Sequence, residues 1–430
     1  MNTLIHGGRV ICPATGTDQI ADVALANGQV VAVGQAPSGF TPERRINASG
    51  CWVLPGLIDL CARLREPGQE HEGMLESELE AAVSGGVTRL VCPPDTDPVL
   101  DEPGLVDMLR FRAAQLQRAH VHPQGALTRG LQGQALTEMA ELSESGCVGF
   151  GQADHALRDT LVLQRAMQYA ATYGYTVWLR PQDAWLSGGV AASGPLATRM
   201  GLAGVPVVAE VIALHTIGEL MRITGARVHL CRLSSAAGVA LVRQAKQQGL
   251  PLSCDVSVHN LHLCDHDIGY FDSRARLEPP LRQQADRQAL AEALADGTVD
   301  ALVSDHNPLD ANAKNLPFAE AEPGASALEL LLPLAIKWAH AQGVPLTQAL
   351  ARVTTGPAAV LGEALPAHSG SLAPGAPAHV CICRPTDAAT VVGARLRSQG
   401  KFTPFEGAAL PVHVVATWVD GHLAFDGGTH

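Results

Sequence analysis

The sequence predicts a parallel (β/α)8 barrel joined to a small β-sandwich that both ends of the chain build together. Between residues 53 and 365, apolar strand-like runs alternate with helical stretches roughly eight times, which is typical of parallel barrels. Residues 1–52 and 366–430 instead contain short apolar segments separated by Gly- and Pro-rich turns. These two terminal regions are therefore predicted to form one small domain outside the barrel.

The N-terminal segment has the pattern of short antiparallel strands. It contains "TLIHGGRVI", "DVALANGQVVAVG" and "RRINASGCWV", and the Asn-Gly pair in the second of these indicates a hairpin turn. The same pattern returns near the other end in "GSLAPGAPAHVCICRP" and "VHVVATWVDGHLAFDGG".

The central segment supplies the barrel. Strand-like runs include "TRLVCPP", "CVGFG", "YTVWLRP", "ARVHLCRLS" and "VDALVSDHNP", and stretches such as "SSAAGVALVRQAKQQGL" have helical periodicity. In a barrel of this kind the functional groups lie at the carboxyl ends of the strands. Side chains that directly follow these runs are therefore the candidates for a site.

Composition narrows the class of function. The chain has 430 residues, of which 47% are apolar and 17% charged, enough for a sizeable core. A net charge of −12 without a long basic run argues against nucleic-acid binding. No run of about 18 apolar residues and no signal-peptide pattern is present, so we expect a cytoplasmic protein without a membrane partner. The ten scattered cysteines are expected to be reduced, buried thiols.

The stretch "DLCARLREPG", residues 59–68, follows the first predicted barrel strand. A metal site at this place usually offers two His one residue apart, whose side chains converge on one ion. Here the corresponding positions are Cys61 and Arg63, one possible ligand and one cation. The loop is present without the expected pair of ligands.

Several motifs together resemble the dihydroorotase family of the amidohydrolase superfamily. They are "LPGLIDL", "LREPGQEHEG", "GGVTRLVCPPDTDP", "ALADGTVDALVSDHNP" and "TPFEG", and they keep the family's order over nearly the whole chain. "LREPG" with "TPFEG" favours dihydroorotase over the hydantoinase and allantoinase relatives. The resemblance implies a barrel with a β-sandwich, and an enzyme that opens or closes the amide ring of dihydroorotate with one or two zinc ions.

The resemblance also implies which positions would hold the metal and the substrate. The family's four metal-binding His correspond to Cys61, Arg63, Arg180 and Arg232, and only Asp305 survives as a ligand or base. The bridging carboxylate falls at Gln152 and Ala153, with Asp154 displaced by one position. Among the substrate contacts, Arg65 and His259 remain, Asp95 and Glu278 replace Asn, and Leu309 replaces His.

These replacements argue against a metal. A dication about 4 Å from one guanidinium is repelled by roughly 8 kcal/mol at an effective dielectric of 20, twice the unit-charge value. Arginine is also never deprotonated in practice, so it cannot act as the base. We therefore expect no metal and no cofactor, and a positive cluster of Arg63, Arg180 and Arg232 that Asp305 and a bound anion partly neutralise. Arg65 is expected to pair with Glu66 or Glu70.

Three functions stay open on the sequence alone. The first is a non-catalytic, dihydroorotase-like subunit that assembles with aspartate transcarbamoylase catalytic subunits, as such homologues in this family do. The second is an active cyclic amidohydrolase whose metal site is rebuilt from His229, Cys231 and His259. The third is a binder of an anionic small molecule in the arginine-rich pocket. Self-association into a homo-oligomer is compatible with all three.

Overall fold

The computed structural model describes residues 2–428, the side chains of 387 and 388 excepted. Its N-terminal segment forms five short strands. They are β1 (Thr3–Cys12), β2 (Thr17–Ala26), β3 (Gln29–Val33), β4 (Arg44–Asn47) and β5 (Trp52–Pro55). The β2–β3 connection turns at Asn27 and Gly28, with φ values of 50° and 74°, which matches the predicted Asn-Gly hairpin.

Parallel strands then form a closed barrel. The strands of this region are β6 (Leu57–Asp59), β7 (Val87–Cys92), β8 (His120–Pro123), β9 (Gly125–Ala126), β10 (Phe150–Gly151), β11 (Thr176–Leu179), β12 (Ala191–Ala192), β13 (Gly204–Val205), β14 (Arg227–Leu230), β15 (Leu252–Ser257) and β16 (Ala301–Val303). β6, β7 and β8 pair in that order, and β9, β10, β11, β14, β15 and β16 form a second parallel run. β8 and β9 are consecutive and link the two runs, and a parallel bridge between Ala62 and His306 closes the circle. β12 and β13 pair only with each other.

Helices alternate with these strands because their apolar faces cover the outside of the barrel. The Asp159 carboxylate caps the helix Thr160–Tyr173 by accepting hydrogen bonds from the Leu161 and Val162 amides, and the Ser235 hydroxyl caps the helix Ala236–Gln247. The helices are α1 (Leu75–Ser84), α2 (Pro103–Gln115), α3 (Met139–Glu144), α4 (Thr160–Tyr173), α5 (Pro195–Met200), α6 (Val207–Thr224), α7 (Ala236–Gln247), α8 (Val258–His262), α9 (Gln284–Asp296), α10 (Ala311–Lys314), α11 (Leu331–Gln342), α12 (Leu346–Ala351) and α13 (Thr355–Leu361).

The C-terminal segment returns to the N-terminal strands. It forms β17 (Val380–Thr390), β18 (Ala409–Val419) and β19 (His422–Asp426). β17 pairs antiparallel with β5, giving the order β19-β18-β17-β5-β1-β2-β3, with β4 paired to β1. The fold is a (β/α)8 barrel with a β-sandwich domain, as the sequence predicts. Its division at residues 52/53 and 365/366 stays a prediction.

The described residues also show the state of the cysteines and whether any helix could span a membrane. All ten cysteines are free thiols, and every one except the half-buried Cys231 is buried. Within residues 2–428, no helix has the combined length and apolar character needed to cross a bilayer.

Candidate functional site: a closed ion network at the barrel mouth

Seven charged side chains meet at the mouth of the barrel, where the parallel strands end. Because these strand ends share one face, residues far apart in sequence become neighbours. Six of them follow the carboxyl ends of strands, and Glu278 comes from the long connection between β15 and β16. We call the set the mouth network: Arg63, Asp95, Asp154, Arg180, Arg232, Glu278 and Asp305.

Asp154 lies at the centre of the mouth network. Its Oδ2 is 2.6 Å from Nη2 of Arg63, and its Oδ1 is 2.7 Å from Nε of Arg180 and 2.5 Å from Nη2 of Arg232. Burial opposes ionisation of this carboxyl group, but the guanidinium of Arg232 and then those of Arg63 and Arg180 outweigh it. Together they hold the pKa of Asp154 well below its usual range.

Three further carboxylates complete the pairing. Asp95 lies 2.8 Å from Arg63, Glu278 lies 2.5 Å from Arg180, and Asp305 lies 3.0 Å from Arg232. Three guanidiniums therefore face four carboxylates. The expected cluster of the three arginines is present and Asp305 neutralises part of it, but the excess positive charge that was expected is not there, because carboxylates from three other loops supply the remaining negative charge.

Two of these pairs match the replacements that the family resemblance implies. The resemblance assigns Arg63 to the position of a metal-binding His and its partner Asp95 to the position of an Asn, and the two side chains lie 2.8 Å apart. Arg180 and Glu278 repeat the pattern. A buried arginine without a counter-ion is strongly destabilising. At these two positions, an arginine in place of His is thus accompanied by an acid in place of Asn.

Asp305, the surviving family ligand, is committed to this network. Burial raises its pKa to about 6, although the Arg232 and Arg63 guanidiniums act in the opposite direction. Its Oδ1 accepts from Nη1 of Arg232 and lies 3.9 Å from Sγ of Cys61. The interpretation of Asp305 as an ion-pair partner is therefore confirmed by geometry.

The backbone at the mouth is strained in four places. Arg65, Ala153, Arg232 and Asp305 have φ values between 48° and 64°, in the left-handed region that residues with a Cβ rarely adopt. Such conformations persist where surrounding contacts over-determine them, and they cluster at ligand and active sites. The loops thus have the geometry of a binding site although their side chains pair with one another.

The Arg65 side chain also forms an ion pair and hydrogen bonds within the protein, but its partners are not the predicted ones. Its Nε lies 3.0 Å from the Glu72 carboxylate, and its other contacts are Oε1 of Gln69 at 2.6 Å and the Pro308 carbonyl at 3.1 Å. The prediction of Glu66 or Glu70 is wrong, because Glu66 accepts from the Leu75 amide and Glu70 accepts from the Gly68 amide instead. The family's carboxylate-binding arginine is therefore held by protein groups.

The predicted rebuilt metal site does not include His259. That ring is buried and stacks on Phe405 with a centroid distance of 5.6 Å, and burial lowers its pKa to about 3. His229 and Cys231 do share one strand face, but the third potential ligand beside them is Asp255, and the three donor atoms lie within 4.8 Å of one another. Asp255 was missed by the sequence reading, although it alternates with Ser253 and Ser257 along β15.

The residues at the mouth do not fit the zinc that the family resemblance implies. Three guanidiniums occupy ligand positions, and burial raises the pKa of both the Cys61 and the Cys231 thiol well above its ordinary value. Zinc binds thiolate rather than thiol, so binding at these sulfurs would have to displace a proton from a buried thiol. Asp255 already accepts from His229 at 2.9 Å and from the Arg232 amide at 2.6 Å.

Little space is left between these side chains. The cavity bounded by Arg180, Arg232 and Glu278 has a volume of about 20 Å³, which holds about one water molecule. Small-molecule sites usually have volumes of roughly 300–1,000 Å³. The mouth is therefore filled by its own side chains.

The sequence did not reveal the importance of two residues at the mouth. Asp154 was marked only as a displaced family carboxylate, and Gln182 was not marked at all. Gln182 accepts a hydrogen bond from Arg180 and donates one to the Asp154 carbonyl at 2.6 Å. The available signal was position, since both residues directly follow a barrel strand.

Comparisons with known proteins agree with the motifs. A model of the family described as "Dihydro-orotase-like" matches residues 50–237, and one described as "Amidohydrolase family" matches residues 224–425. A "Dihydroorotase-like protein" of Pseudomonas aeruginosa is 44% identical over 428 residues, covering 99% of this chain and all of the relative. A "Dihydroorotase" of Anaeromyxobacter dehalogenans is 37% identical, covering 98% of this chain and 97% of the relative.

Solved structures support the same architecture. L-hydantoinase from Arthrobacter aurescens superposes with a TM-score of 0.88 at 23% identity, covering 99% of this chain and 96% of that one. Dihydropyrimidinase from Brevibacillus agri superposes with a TM-score of 0.85 at 20% identity, covering 99% and 95%. Identities this low establish the fold alone, whereas the full-length relatives establish the family. The chain belongs to the dihydroorotase family of the amidohydrolase superfamily.

Proposed function

We propose that this chain is a non-catalytic dihydroorotase-like protein that acts as a structural or regulatory partner of aspartate transcarbamoylase in pyrimidine biosynthesis. The observation that carries the proposal is the mouth network. Its arginines occupy the positions that the resemblance assigns to zinc ligands, and each is paired with carboxylates. Without a metal-bound hydroxide, amide hydrolysis has no nucleophile.

The partner half of the proposal rests on the family resemblance. The barrel and its mouth loops are retained around a site that is closed, so we place the function on the surface. In an assembly with aspartate transcarbamoylase, this chain would hold the catalytic subunits in a larger symmetric complex. We propose no cofactor.

An active cyclic amidohydrolase is the second candidate. It is favoured by relatives named dihydroorotase and by the donor group of His229, Cys231 and Asp255. Against it stand the protonated thiol and the arginines beside the group. Binding of an anionic small molecule at the mouth has less support, because the arginines already have carboxylate partners.

Metal content and turnover separate the first two candidates. We expect purified protein to contain no stoichiometric zinc and to leave dihydroorotate unhydrolysed with added zinc or manganese. The Cys61→His/Arg63→His variant should behave in the same way, because Arg180 and Arg232 still repel the ion. Stoichiometric zinc that is lost in His229→Ala, together with turnover above the blank, would establish the second candidate instead.

Assembly is tested by co-expression with aspartate transcarbamoylase of the same organism, followed by size-exclusion chromatography. We expect one peak that contains both chains. The transcarbamoylase expressed alone, assayed for activity and thermal stability, is the control. Separate elution, with a transcarbamoylase that is equally active and stable alone, would remove the partner function.

A further inference from the structure

A hydrogen-bonded chain of three side chains reaches from beneath the mouth network to the opposite end of the barrel. Nδ1 of His229 lies 2.8 Å from Oγ of Ser253, and Nε2 of the same ring lies 2.9 Å from Oδ2 of Asp255. His229 belongs to β14, and the other two residues belong to β15, where Ser253 is near the start of the strand. We call these three residues the floor triad.

The partners of the His229 ring determine which of its nitrogens carries the hydrogen. A carboxylate only accepts hydrogen bonds, so Nε2 carries the hydrogen that Asp255 accepts. Nδ1 then has a free lone pair, and the Ser253 hydroxyl donates to it. Oδ1 of Asp255 also accepts from the Arg232 amide at 2.6 Å, which fixes the carboxylate. The order of hydroxyl, imidazole and carboxylate is the one in which a neighbouring base activates a serine.

The floor triad is held rigidly by the barrel strands. His229 is the Cα partner of Ser253 in the ladder between β14 and β15, and of Trp178 in the ladder between β11 and β14. The rings of Trp178 and His229 pack with a centroid distance of 4.3 Å. His229 and Asp255 are fully buried. Functional groups on strands, with rings fixed by packing, are held more precisely than groups on loops.

The serine of the floor triad can be reached from solvent. Ser253 is half-buried and lines an open basin of about 1980 Å³ at the end of the barrel where the strands begin. Sites for small molecules usually have volumes of roughly 300–1,000 Å³, so the basin can admit a substrate. Arg227 lines the same basin, two residues before His229 on β14, and its Nε donates to Oγ1 of Thr176 at 2.8 Å. Its guanidinium brings positive charge to this end of the barrel, as a developing oxyanion requires.

We propose that the floor triad is a second site of this protein, in which Ser253 acts as the nucleophile in the hydrolysis of a carboxylic ester that enters from the basin. His229 is the general base, and Asp255 is the positioning residue that holds the imidazole. The site lies at the opposite end of the barrel from the mouth network and uses no metal ligand. The inference is therefore independent of dihydroorotate chemistry and of the proposed partner function.

The reaction needs only the ester and water. Oγ of Ser253 forms a bond to the acyl carbon, Nδ1 of His229 takes the hydroxyl proton, and the ester C–O bond breaks. The leaving alkoxide receives that proton from His229 and departs as the alcohol. Water then attacks the acyl-serine, one of its protons returns to Oγ of Ser253 through His229, and the carboxylic acid is released.

The test treats the purified full chain with a fluorophosphonate reagent, which labels activated serines, and locates the adduct by peptide mass spectrometry. We expect one adduct per chain, on Ser253, and none in Ser253→Ala. His229→Gln should slow labelling at least about 100-fold, because the base is lost. Ser143→Ala is the matched control, since Ser143 is a half-buried serine of α3 that lines the same basin outside the floor triad. It should leave the labelling rate unchanged.

Turnover is measured with p-nitrophenyl acetate as the ester. Wild type and Ser143→Ala should release p-nitrophenol at the same rate, and Ser253→Ala should fall to the blank, with wild-type melting temperatures in both variants. A wild-type chain without an adduct on Ser253 refutes the site, and this result needs no substitution in the buried core. Labelling that is equally fast in a folded His229→Gln variant, or an adduct without ester turnover, also overturns the inference. None of these results bears on assembly with aspartate transcarbamoylase.

Discussion

Arginine side chains at the two ends of the barrel differ in their exposure to solvent and in their contacts with carboxylates. At the mouth, Arg63, Arg180 and Arg232 have side chains that are only 3–6% exposed, and each contacts carboxylates. At the other end, where the strands begin, an open basin of about 1980 Å³ is lined by residues that include Arg110 and Arg227.

Two arginines of the basin, Arg110 and Arg227, form no salt bridge with a carboxylate of the described residues. Nη1 of Arg110 donates to the Ser145 carbonyl at 2.6 Å, and Nη2 of Arg227 donates to the Gly174 carbonyl at 2.5 Å. Water solvates the rest of these exposed guanidiniums, so no counter-ion is required. The exposed Arg110 and Arg227 are thus satisfied without an acid beside them, whereas each buried arginine of the mouth network is paired with carboxylates.

The mouth is consequently a rebuilt region and not merely one that has lost its ligands. A barrel with three buried, unpaired arginines would be destabilised by several kcal/mol for each of them. The four carboxylates remove that penalty, and Asp154 alone contacts all three arginines. This contrast between a paired mouth and a solvated basin makes two predictions, given from the larger effect to the smaller.

Asp154→Ala is expected to lower the free energy of unfolding by about 3–5 kcal/mol, because it leaves buried guanidiniums without their shared counter-ion. Arg227→Met at the basin is the matched comparison and should lower it by about 1 kcal/mol, since only partly exposed hydrogen bonds are lost. Urea denaturation followed by circular dichroism measures both. If the two variants lose equal stability, the distinction between the ends of the barrel fails.

Asp305 should give the mouth a pH dependence between about pH 4 and pH 6. Its pKa of about 6 lies above the unfolded value of about 3.9, so the native state binds more protons between these pH values. Stability conferred by this group is therefore present below about pH 4 and is lost as the pH rises through about 6, by up to about 3 kcal/mol.

Asp305→Asn removes this titration. The difference in unfolding free energy between wild type and Asp305→Asn, measured at intervals from pH 4 to pH 7, should shift against the wild type as the pH rises. Arg227→Met should show no such trend relative to wild type. A difference that is flat across this range would mean that Asp305 titrates normally in the folded protein.

The sequence predicted the fold well because the relevant signals are local and repeated. Alternating strand and helix patterns predicted the barrel, and the Asn27-Gly28 turn predicted the β2–β3 hairpin. Position along the chain also predicted the mouth residues, since Arg63, Arg180, Arg232 and Asp305 directly follow apolar runs. The pairing of Asp305 with arginine followed from charge alone.

The sequence was less informative about which side chains contact one another. It assigned Arg65 to Glu66 or Glu70, but the loop brings Glu72 to it instead. It placed His259 with His229 and Cys231, whereas His259 packs against Phe405. The first error preferred neighbours in sequence over neighbours in space, whereas the second could not foresee the direction in which α8 presents His259.

By itself, the sequence determined the barrel and the family, and the resemblance assigned three arginines to positions of metal-binding His. Only the tertiary structure decided that the mouth is not positive. Asp95, Asp154 and Glu278 come from loops that follow three different strand regions, and their convergence depends on barrel closure through Ala62 and His306. Ion pairing acts over a few ångströms in space, and distance along the chain does not report that separation.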